Sequence, residues 1–455
     1  MKITTYKEAQ VYLESLIKPY QMEKIVGIPD QYNNPLGRMT YLLELLENPQ
    51  KKFRSIVISG TSGKGSTTYA IAHMLTAAGY TIGFATSPHL KKINERMQLG
   101  INKKLSMISS KELITYLNKV IPIIKKMNNM TIGQPSYFEV LLAIGFLYFA
   151  EKKVDLAVVE VGLEGKYDGT QVLSPLIFVY TNTSLDHTHI LGETIEEIVK
   201  EGLSSIENSS SANRPLVVSG VSQQSVQTII EETCAKASVK LLLLGKDFSY
   251  TVEKETTKEN VFTFTSKSIS LPNIHCSLIG GYQMENVALA IETVLQLKKF
   301  GIFITEQVIR EALQSTFFSG RFEKKGTIIL DGAHNPAKME AFITSLQKLY
   351  PHERKIFILG FKEDKNIDDM LTTIIPFAGE IITTEYAVLT DMKIKSAFPT
   401  YKLFHKIHVL APSLPIIATE TVSHAIVKAK KLAKKDTMII ITGSLYLVGE
   451  ALSVL

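Results

Sequence analysis

The sequence predicts an α/β protein whose parallel sheets are covered on both faces by helices. Short, continuously apolar runs recur along the chain, as in Ser55–Ser59 and Asp155–Val161. Strands of this kind are typical of buried parallel sheets. Between them lie stretches with helical amphipathic spacing, such as Ser136–Ala150, Thr194–Ile206 and Pro336–Leu349. Because strands and helices alternate almost throughout, we expect a doubly wound architecture.

The composition is that of a globular protein with two or three domains. The chain has 455 residues, against roughly 150 for a typical domain, and 45% of them are hydrophobic while 21% are charged. Fifty Lys and Arg against 44 Asp and Glu give a net charge of +6, which leaves no strong footprint for nucleic acid or an anionic membrane. We therefore expect no nucleic-acid partner and no membrane partner. A basic site for a small polyanion fits the same charge.

Targeting and redox features favour the cytoplasm. Lys2 and Glu8 interrupt the N-terminal stretch in which a secretory signal needs an apolar core. The longest apolar run, Val140–Ala150, is well short of the roughly 20 residues that span a bilayer. The two cysteines, Cys234 and Cys276, support neither a disulfide framework nor a cysteine metal site. We predict a cytoplasmic protein.

The segment Ser59–Thr67, SGTSGKGST, is predicted to bind phosphate. It follows a buried strand and opens a helix, so its glycines let the main chain wrap around a phosphate and direct N–H groups at its oxygens. Lys64 supplies a charge to the terminal phosphates, and Ser66 is the best candidate for a Mg²⁺ ligand. The spacing departs from the strict pattern because Gly65 separates the lysine from the hydroxyl. A glycine-rich turn without a ligand is the alternative.

Polar residues also end two further strands at the same expected sheet edge. Glu160 lies at the end of the strand DLAVVEVG, and Asp186 and His187 follow a later strand. Open α/β sheets collect their ligands at the carboxyl ends of strands, and a buried carboxylate is costly unless it is paired or binds metal. Alone, Glu160 is equally an ion-pair partner, and His187 a hydrogen-bonded core residue. Beside a phosphate loop, both become candidate metal ligands.

The chain changes texture twice in its second half. Lys246–Leu271 alternates Thr, Val, Phe and Tyr as antiparallel strands do, and a helix is predicted over Gln283–Leu297. A fresh series of strands and helices begins after Gly320, so we place a domain boundary near residue 318.

Two segments of this later series are candidate ligand sites. Asp331–Pro336, DGAHNP, follows a strand, and within it Asp331 is suited to ribose hydroxyls and His334 to a base or a carboxylate. The same hexapeptide is equally compatible with a tight turn and a helix N-cap. Thr442–Ser444 follows another strand and offers a second helix start for an anion.

Ten short motifs follow one another along the chain. They are GTSGKGST (60–67), TSPHL (86–90), NER (94–96), FE (138–139), EVGL (160–163), LDHT with LG (185–192), GR (320–321), DGAHNP (331–336), DK (364–365) and TGSLYLVGE (442–450). Their order resembles that of the folylpolyglutamate synthase/dihydrofolate synthase family of the Mur ligase superfamily, over nearly the whole chain. The resemblance implies an N-terminal P-loop Mur-ligase-type ATPase domain (1–318) and a smaller C-terminal Rossmann-like α/β domain (319–455), with ATP between them.

The resemblance further implies an ATP-dependent ligase that adds L-glutamate to a folate-type carboxylate, as in folate biosynthesis and one-carbon metabolism. The carboxylate attacks the γ-phosphate of ATP, the amino group of glutamate attacks the acyl phosphate, and phosphate leaves. The implied metal is Mg²⁺, with K⁺ as a further candidate ion. The family is usually monomeric.

Individual roles follow from the same resemblance. Lys64, His187 and Glu160 are the predicted catalytic residues, and Ser66, Glu160 and His187 match the Mg²⁺ ligands. The predicted ATP contacts are Gly60, Thr61, Gly63, Lys64, Gly65, Ser66, Thr67, Asn286, Arg321 and Asp331. The predicted contacts of the acceptor and of glutamate are His89, Asn94, Arg96, Phe138, Asp168, His334 and Ser444.

Four positions depart from the family pattern, and three of them lie on the acceptor side. The family has a carbamylated lysine where this chain has Gly202, and Lys200 is about 200° away round a helix. The usual GGRxDATN reads EGKYDGTQ, so Lys166 replaces a bidentate arginine. His189 stands where the bifunctional dihydrofolate synthases carry an aspartate. On the nucleotide side, Tyr282 replaces a histidine.

Three hypotheses fit this pattern. The first is a ligase of folylpolyglutamate synthase type. The second is a divergent Mur-superfamily ligase that joins an amino acid to a non-folate acid in a biosynthetic pathway, because the departures cluster on the acceptor side. The third is an ATP-binding protein that has lost ligase activity, as Gly202 suggests. Retention of Lys64, Ser66, Glu160 and His187 favours an enzyme.

Overall fold

The computed structural model describes residues 2–17, 36–207, 214–387 and 397–455. Three β-sheets of eight, three and six strands organise these residues. Every helix in these ranges is too short or too polar to span a bilayer.

The eight-stranded sheet carries the phosphate loop. Its strands are β1 Arg54–Ser59, β2 Ile82–Ala85, β3 Met97–Ile101, β4 Lys104–Met107, β5 Leu156–Glu160, β6 Ile177–Tyr180, β7 Leu216–Ser219 and β8 Leu241–Leu243. Their order is β4-β3-β2-β5-β1-β6-β7-β8, and all neighbours are parallel except β2 with β3 and β3 with β4. Because β1 lies between β5 and β6, the loops that follow these three strands meet at one edge.

Helices cover both faces of this sheet. The helices up to residue 314 are α1 Tyr6–Ser15, α2 Gly37–Leu45, α3 Lys64–Ala77, α4 Ser110–Asn128, α5 Tyr137–Glu151, α6 Thr188–Leu191, α7 Ile195–Gly202, α8 Ser204–Glu207, α9 Gln224–Lys236, α10 Tyr282–Gln296 and α11 Glu306–Gln314. Side chains alternate along a strand, so Val57 and Val159 pack in the core built with α4 and α5. Ile58 and Val158 face the opposite core, built with α3 and α10.

A small antiparallel sheet extends the core around α10. Its strands are β9 Phe248–Glu255, β10 Asn260–Ser266 and β11 Ser270–Cys276, in the order β11-β10-β9. Phe262 and Phe264 are fully buried against α10 and α11. The alternating Thr, Val, Phe and Tyr of this segment thus form the predicted antiparallel strands.

The six-stranded sheet faces the phosphate loop across a cleft. Its strands are β12 Glu323–Lys325, β13 Ile328–Leu330, β14 Arg354–Leu359, β15 Glu380–Thr383, β16 Ile416–Ala418 and β17 Thr437–Thr442, in the order β12-β13-β17-β14-β15-β16. All neighbours are parallel except β12 with β13. Its covering helices are α12 Pro336–Leu349, α13 Ile367–Ile374 and α14 Thr400–Leu410 on one face, and α15 Val422–Leu432 and α16 Leu445–Val454 on the other.

The predicted α/β fold is confirmed, with one local correction. The amphipathic stretch Thr194–Ile206 is two helices, α7 and α8, because α7 ends with Leu203 as its C-cap. Lys200 is exposed while Gly202 is buried, as expected for residues two apart on a helix. The domain boundary near residue 318 remains a prediction.

Candidate active site

Two neighbouring cavities open where the strand ends of the two large sheets meet. The first, about 430 Å³, lies between the phosphate loop and the start of α12. The second, about 600 Å³, lies beside the start of α5 and the loops around residues 162–169 and 444–446. His187 and His334 line both cavities, so the two spaces adjoin at these side chains. The predicted residues that line the first cavity are Thr61, Gly63, Lys64, Gly65, Ser66, Glu160, His187, Asn286, Arg321, Asp331 and His334.

Glycines in left-handed conformations shape the phosphate loop. Gly60 has φ +120° and Gly63 has φ +83°. A Cβ at Gly60 would lie 2.3 Å from Thr181 Oγ1, and a Cβ at Gly63 would lie 2.1 Å from Asn286 Oδ1. Both the backbone and the neighbouring side chains therefore require glycine here.

The loop after β6 holds the phosphate loop in place through hydrogen bonds. Asn182 O accepts from Thr61 N at 2.8 Å, and Asn182 Oδ1 accepts from Ser62 N at 3.0 Å. Thr67 is fully buried and its hydroxyl donates to the carbonyl of Asn286 at 3.4 Å. Of the predicted ATP contacts, Thr67 and Gly60 thus build the loop and do not line the first cavity.

Lys64 lies at the start of α3 with its ammonium group over the loop. Its Nζ donates to the carbonyl of Gly60 and lies 4.0 Å from Glu164 Oε1. Glu164 is buried, and its Oε1 has no hydrogen-bond partner among the described residues. Burial raises the pKa of Glu164 to about 7 although Lys64 lies nearby.

Glu160 ends β5 beside the phosphate loop, where Ser66 is buried on the first turn of α3. Glu160 Oε2 accepts from Thr86 Oγ1 and from Ser87 N at 3.1 Å. Its Oε1 lies 3.5 Å from the position that a Cβ at Gly65 would take. One carboxylate oxygen is thus fixed by the chain, and the other faces the loop.

His187 sits at the junction of the cavities in a left-handed conformation, with φ +50°. Its Nε2 lies 3.9 Å from Asp186 Oδ1. Burial lowers the pKa of His187 to about 4, so the ring is neutral at physiological pH. A neutral imidazole keeps a nitrogen lone pair available, as a metal ligand requires.

Asp186 ties the two halves of the cleft together. It forms an ion pair with Lys365, which follows β14, and accepts a hydrogen bond from Asn335 Nδ2 at 3.0 Å. Although burial opposes ionisation, Lys365 and His187 hold the pKa of Asp186 well below its usual range. The bridge therefore stays charged over the physiological range.

The nucleotide-side residues from the six-stranded sheet surround Asp331. Asp331 Oδ2 accepts from Tyr282 Oη at 3.0 Å and from Phe322 N at 2.9 Å, and Oδ1 accepts from Ala333 N at 2.8 Å. Burial raises the pKa of Asp331, which the nearby Arg321 opposes. Tyr282, the residue that replaces a histidine, thus orients this carboxylate.

Asn286 on α10 and Arg321 before β12 are two further predicted ATP contacts. Asn286 Nδ2 donates to Gln283 Oε1 at 3.0 Å, and the Arg321 guanidinium lies 5.5 Å from the centre of the Phe318 ring. Both side chains line the first cavity.

His334 carries a hydrogen bond on each ring nitrogen. Nδ1 lies 2.7 Å from the carbonyl of Gly332, so Nδ1 is the protonated nitrogen. Nε2 therefore accepts from Lys338 Nζ at 3.0 Å. Burial and Lys338 hold the pKa of His334 well below its usual range, so the ring is neutral.

The second cavity is lined by three predicted residues that the first lacks and by two that line both. Phe138, Asp168, His187, His334 and Ser444 line it. Asp168 is buried, and its carboxylate accepts from Leu163 N at 2.7 Å and Thr170 N at 2.8 Å, so it organises the loop after β5. Ser444 caps α16.

Three predicted acceptor contacts lie elsewhere. Asn94 is buried and donates to the carbonyl of Ile108 at 2.7 Å. His89 Nδ1 accepts from Arg96 Nε at 2.8 Å, and Arg96 lies 5.5 Å over the Tyr137 ring. Arg96 lines a third, much smaller cavity of about 20 Å³ with Phe138. The structure thus brings His89 and Arg96 together beside Tyr137, which lines the second cavity, whereas Asn94 bonds to the main chain of Ile108.

Several residues of the cleft went unpredicted. Glu285 lines the first cavity, and burial raises its pKa to about 7. Lys338 lies on the first turn of α12, and its partner His334 precedes the N-cap residue Asn335 of that helix. Helical spacing therefore gave no signal for Lys338, because its partner lies outside the helix.

Glu164 also went unpredicted, and it explains how the chain accommodates Gly202. A Cβ at Gly202 would lie 2.9 Å from Tyr180 Cε2 and 3.2 Å from Glu164 Oε2. The Tyr180 ring and the Glu164 carboxylate therefore occupy the space that a side chain at 202 would need. The signal was the glutamate at the first position of EGKYDGTQ, where the family pattern has glycine. The side chain of His189 lies outside the described residues.

Comparisons with known proteins agree with this architecture. Residues 58–294 match the family model "Mur ligase middle domain", and residues 314–454 match "Dihydrofolate synthetase, C-terminal domain". The dihydrofolate synthase/folylpolyglutamate synthase of Bacillus subtilis (strain 168) is 31% identical over 421 residues, which cover 91% of this chain and 93% of the relative.

Two solved structures extend the similarity to the fold. The folylpolyglutamate synthase of Thermotoga maritima has a TM-score of 0.80 and 30% identity, and covers 98% of this chain and 96% of its own. The folylpolyglutamate synthase of Mycobacterium tuberculosis, complexed with ADP and AMPPCP, has a TM-score of 0.84 and 26% identity over 98% of both chains.

Proposed function

The chain belongs to the dihydrofolate synthase/folylpolyglutamate synthase family of ATP-dependent ligases, and from this premise we propose that its two cavities hold ATP and the acceptor acid. It is an ATP-dependent carbon–nitrogen ligase of folylpolyglutamate synthase type, which adds L-glutamate to a folate-type carboxylate. The assignment of ATP and acceptor to the two cavities rests on the residues at which the cavities adjoin. The phosphate loop opens into the first cavity, and His187 and His334 join that cavity to the second.

ATP binds in the first cavity with its phosphates on the loop 60–66. The exposed N–H groups at the start of α3 and the Lys64 ammonium favour the negative charge of the phosphates. Asp331 faces the ribose, because its Oδ1 accepts only the bond from Ala333 N among the described residues and keeps a second lone pair for a hydroxyl. Asn286 and Arg321 hold the base and phosphate from α10 and from the loop before β12.

Three residues fit a Mg²⁺ ion that ATP would bring. The described residues contain no group of three His, Cys, Asp or Glu side chains that would hold a metal alone. Mg²⁺ usually takes one or two carboxylates and completes its shell with water and substrate phosphates. Ser66, the free-facing oxygen of Glu160 and neutral His187 would hold it, and the ion would supply charge to the transferring phosphoryl group. Nothing in the described residues identifies a K⁺ site.

The acceptor binds in the second cavity, which suits a flat aromatic acid. Its lining combines aromatic side chains, Tyr137, Phe138 and Tyr446, with Lys362 and Lys365, which pair with Asp364 and Asp186. The aromatic rings favour a heterocycle, and each ammonium group keeps N–H donors for a carboxylate beyond the one that its aspartate takes. His334, which lines both cavities, and Ser444, which lines the second, are placed to contact the incoming amino acid.

The chemistry then runs at the junction. The acceptor carboxylate attacks the γ-phosphorus of ATP, and ADP leaves while Lys64 neutralises charge on the phosphoryl oxygens. The amino group of glutamate, having lost its proton, attacks the acyl carbon, and the collapsing tetrahedral intermediate expels phosphate and forms the amide. The Asp186 bridge to Lys365 and Asn335 keeps the two halves of the cleft closed around the acyl phosphate, which limits hydrolysis by water.

We further propose that the chain acts as a monomer in the cytoplasm. The monomer follows from the similarity to a family that is usually monomeric. Both cysteines are buried as free thiols, as suits a reducing compartment. Light scattering after gel filtration should give one mass near 50.6 kDa, and a dimer mass would contradict the proposal.

Substrate dependence tests the assignment of the reaction. Purified protein with Mg²⁺ and ATP should release ADP and phosphate only when a reduced folate and L-glutamate are both present. Dihydropteroate in place of the folate separates the two activities of the family. Release of ADP that occurs with a non-folate acid from a panel, but not with any folate, would favour the divergent ligase instead. No turnover with any acid would favour a nucleotide-binding protein.

A further inference from the structure

Lys338 is a cation of the ATP cleft that the motifs do not account for. It lies on the first turn of α12, is partly buried and lines the first cavity together with Lys64 and Arg321. We propose that Lys338 binds the terminal phosphoryl group of ATP from the side of the six-stranded sheet, opposite Lys64. The inference rests on the proposed binding of ATP in this cavity.

Lys338 donates a hydrogen bond to the His334 ring, and the other bond of that ring shows that it is neutral. His334 Nδ1 donates to the carbonyl of Gly332 at 2.7 Å, so Nε2 accepts from Lys338 Nζ at 3.0 Å. The partner of Lys338 is thus a neutral ring. An ammonium group has three N–H donors, and this bond uses one of them.

Two other cations of the cleft have a carboxylate at short range. Lys365 forms an ion pair with Asp186, and Lys64 Nζ lies 4.0 Å from Glu164 Oε1. In the part of the chain that the structure describes, Lys338 forms no ion pair, and Asp186 acts on it only at longer range. The Lys338 ammonium group therefore keeps N–H donors for a ligand in the cavity.

The electrostatics around Lys338 favour an anionic ligand. Burial lowers the pKa of Lys338 to about 7, Lys64, Lys365 and Arg321 lower it further, and Asp186 opposes them. A phosphate group in the cavity would stabilise the ammonium form against all of these effects. Binding of the ligand and protonation of Lys338 thus favour each other.

The position of Lys338 selects the terminal phosphoryl group over the acceptor. Lys338 lines the first cavity and is absent from the lining of the second, whereas its partner His334 lines both. Lys338 therefore lies on the nucleotide side of the junction, next to the point where the phosphoryl group must pass to the acceptor. Asp331, which faces the ribose, lies at the other end of the segment that leads from β13 into α12.

Nucleotide binding without acceptor separates this role from a structural one. Calorimetry should compare Mg²⁺ with AMPPCP, which has a third phosphoryl group, and Mg²⁺ with ADP, which does not. A charge-assisted hydrogen bond to that group predicts about 10- to 100-fold weaker AMPPCP binding in Lys338→Met, with ADP binding changed less than about threefold. Lys338→Arg, which keeps the charge, should retain most of the discrimination between the two nucleotides.

The matched control is Lys348→Met on the same helix. Lys348 is exposed and pairs with Glu255 outside the cleft, so its variant should bind both nucleotides as wild type does. Equal weakening of ADP and AMPPCP in Lys338→Met, or no change in either, overturns the role of Lys338 while the proposed function stands. A wild-type protein that binds neither nucleotide overturns the proposed function itself. If Lys338→Met does not unfold cooperatively on heating, Lys338→Gln replaces it in the same comparison.

Discussion

The phosphate loop and the corner around Gly202 both depend on glycine, but for different physical reasons. In the loop, Gly60 and Gly63 have φ of +120° and +83°, conformations that L residues adopt with strain. Gly202 closes α7 in an ordinary helical turn, and what matters there is the missing side chain. The Tyr180 ring and the Glu164 carboxylate fill the space that it leaves.

This difference separates what the protein shares with its family from what is its own. The loop presents main-chain N–H groups to a phosphate, and the phosphates of any nucleotide can accept from such groups in the same way. At Gly202, one carboxylate from another element stands beside the position where the family has a modified lysine. The loop motif thus follows the family pattern, whereas Glu164, which lines the first cavity 4.0 Å from Lys64 Nζ, is what distinguishes the corner beside Gly202.

The largest effect should come from the charge of the phosphate loop. Lys64→Ala removes the ammonium that neutralises the transferring phosphoryl group, so we expect kcat to fall by at least about 100-fold. Coupled ADP release under saturating ATP measures this. Lys246→Ala is the control, because Lys246 is exposed and pairs with Glu231 away from the cleft. Full activity in Lys64→Ala would mean that the loop does not hold the reacting phosphates.

The corner around Gly202 should resist restoration of the family's lysine. Gly202→Lys places a Cβ 2.9 Å from Tyr180 and 3.2 Å from Glu164, so we expect a loss of about 2 to 4 kcal/mol in the free energy of unfolding. Activity should not rise. Urea denaturation and ADP release measure the two effects.

The double variant Glu164→Gly with Gly202→Lys sharpens this prediction. It restores the family's glycine at 164 and removes the carboxylate from the space, so it should recover part of the lost stability. A Gly202→Lys variant that is as stable as wild type and more active would show that Tyr180 and Glu164 do not exclude a side chain at position 202.

The two regions also differ in how far the sequence predicts them. The strand, loop and helix around Lys64 could be predicted because glycine spacing and the apolar run of β1 encode them locally. The fold class followed from similar runs, whereas the antiparallel strand β3 and the exposed edge strand β4 were not predicted, since neither has a continuous apolar run.

Residues that act across the fold could not be predicted in the same way. The contact of Glu164 with Gly202 joins a loop after β5 to the end of α7, and no local pattern records that proximity. Asn94 matches a family position, its amide donates to the carbonyl of Ile108, and it lines neither large cavity. Its contact with the acceptor stays a prediction.

A pair of glycine variants tests whether the loop needs space as well as conformation. Gly63→Ala and Gly79→Ala both place alanine at positive φ, +83° and +95°, with a similar cost of about 1 kcal/mol in backbone strain. A Cβ at Gly63 also meets Asn286 Oδ1 at 2.1 Å, whereas a Cβ at Gly79 meets nothing within 4 Å. We therefore expect Gly63→Ala to lose about 2 kcal/mol more on thermal unfolding and to bind ATP more weakly. Equal losses would mean that conformation alone fixes the loop.

The smallest expected effect is a pH dependence of stability that belongs to the Glu164 corner. Burial raises the pKa of Glu164 to about 7 in the folded protein, above its ordinary value of 4.5 in the unfolded chain. Between these two values the folded state holds a proton that the unfolded state has lost, so stability falls as the pH rises from about 4.5 to about 7. Above pH 7 both states are ionised and the effect is constant.

Glu164→Gln removes this titration while keeping the size of the side chain. Relative to wild type, the variant should therefore gain about 1 to 2 kcal/mol in the free energy of unfolding between about pH 5 and pH 6.5. Glu285, whose pKa burial also raises to about 7, titrates in both proteins, so its effect cancels in the comparison. Glu231→Gln, at an exposed position, should show no such gain. A flat difference between wild type and Glu164→Gln across this range would mean that Lys64 keeps Glu164 ionised in the folded protein, and the corner would then act as an ion pair of the phosphate loop.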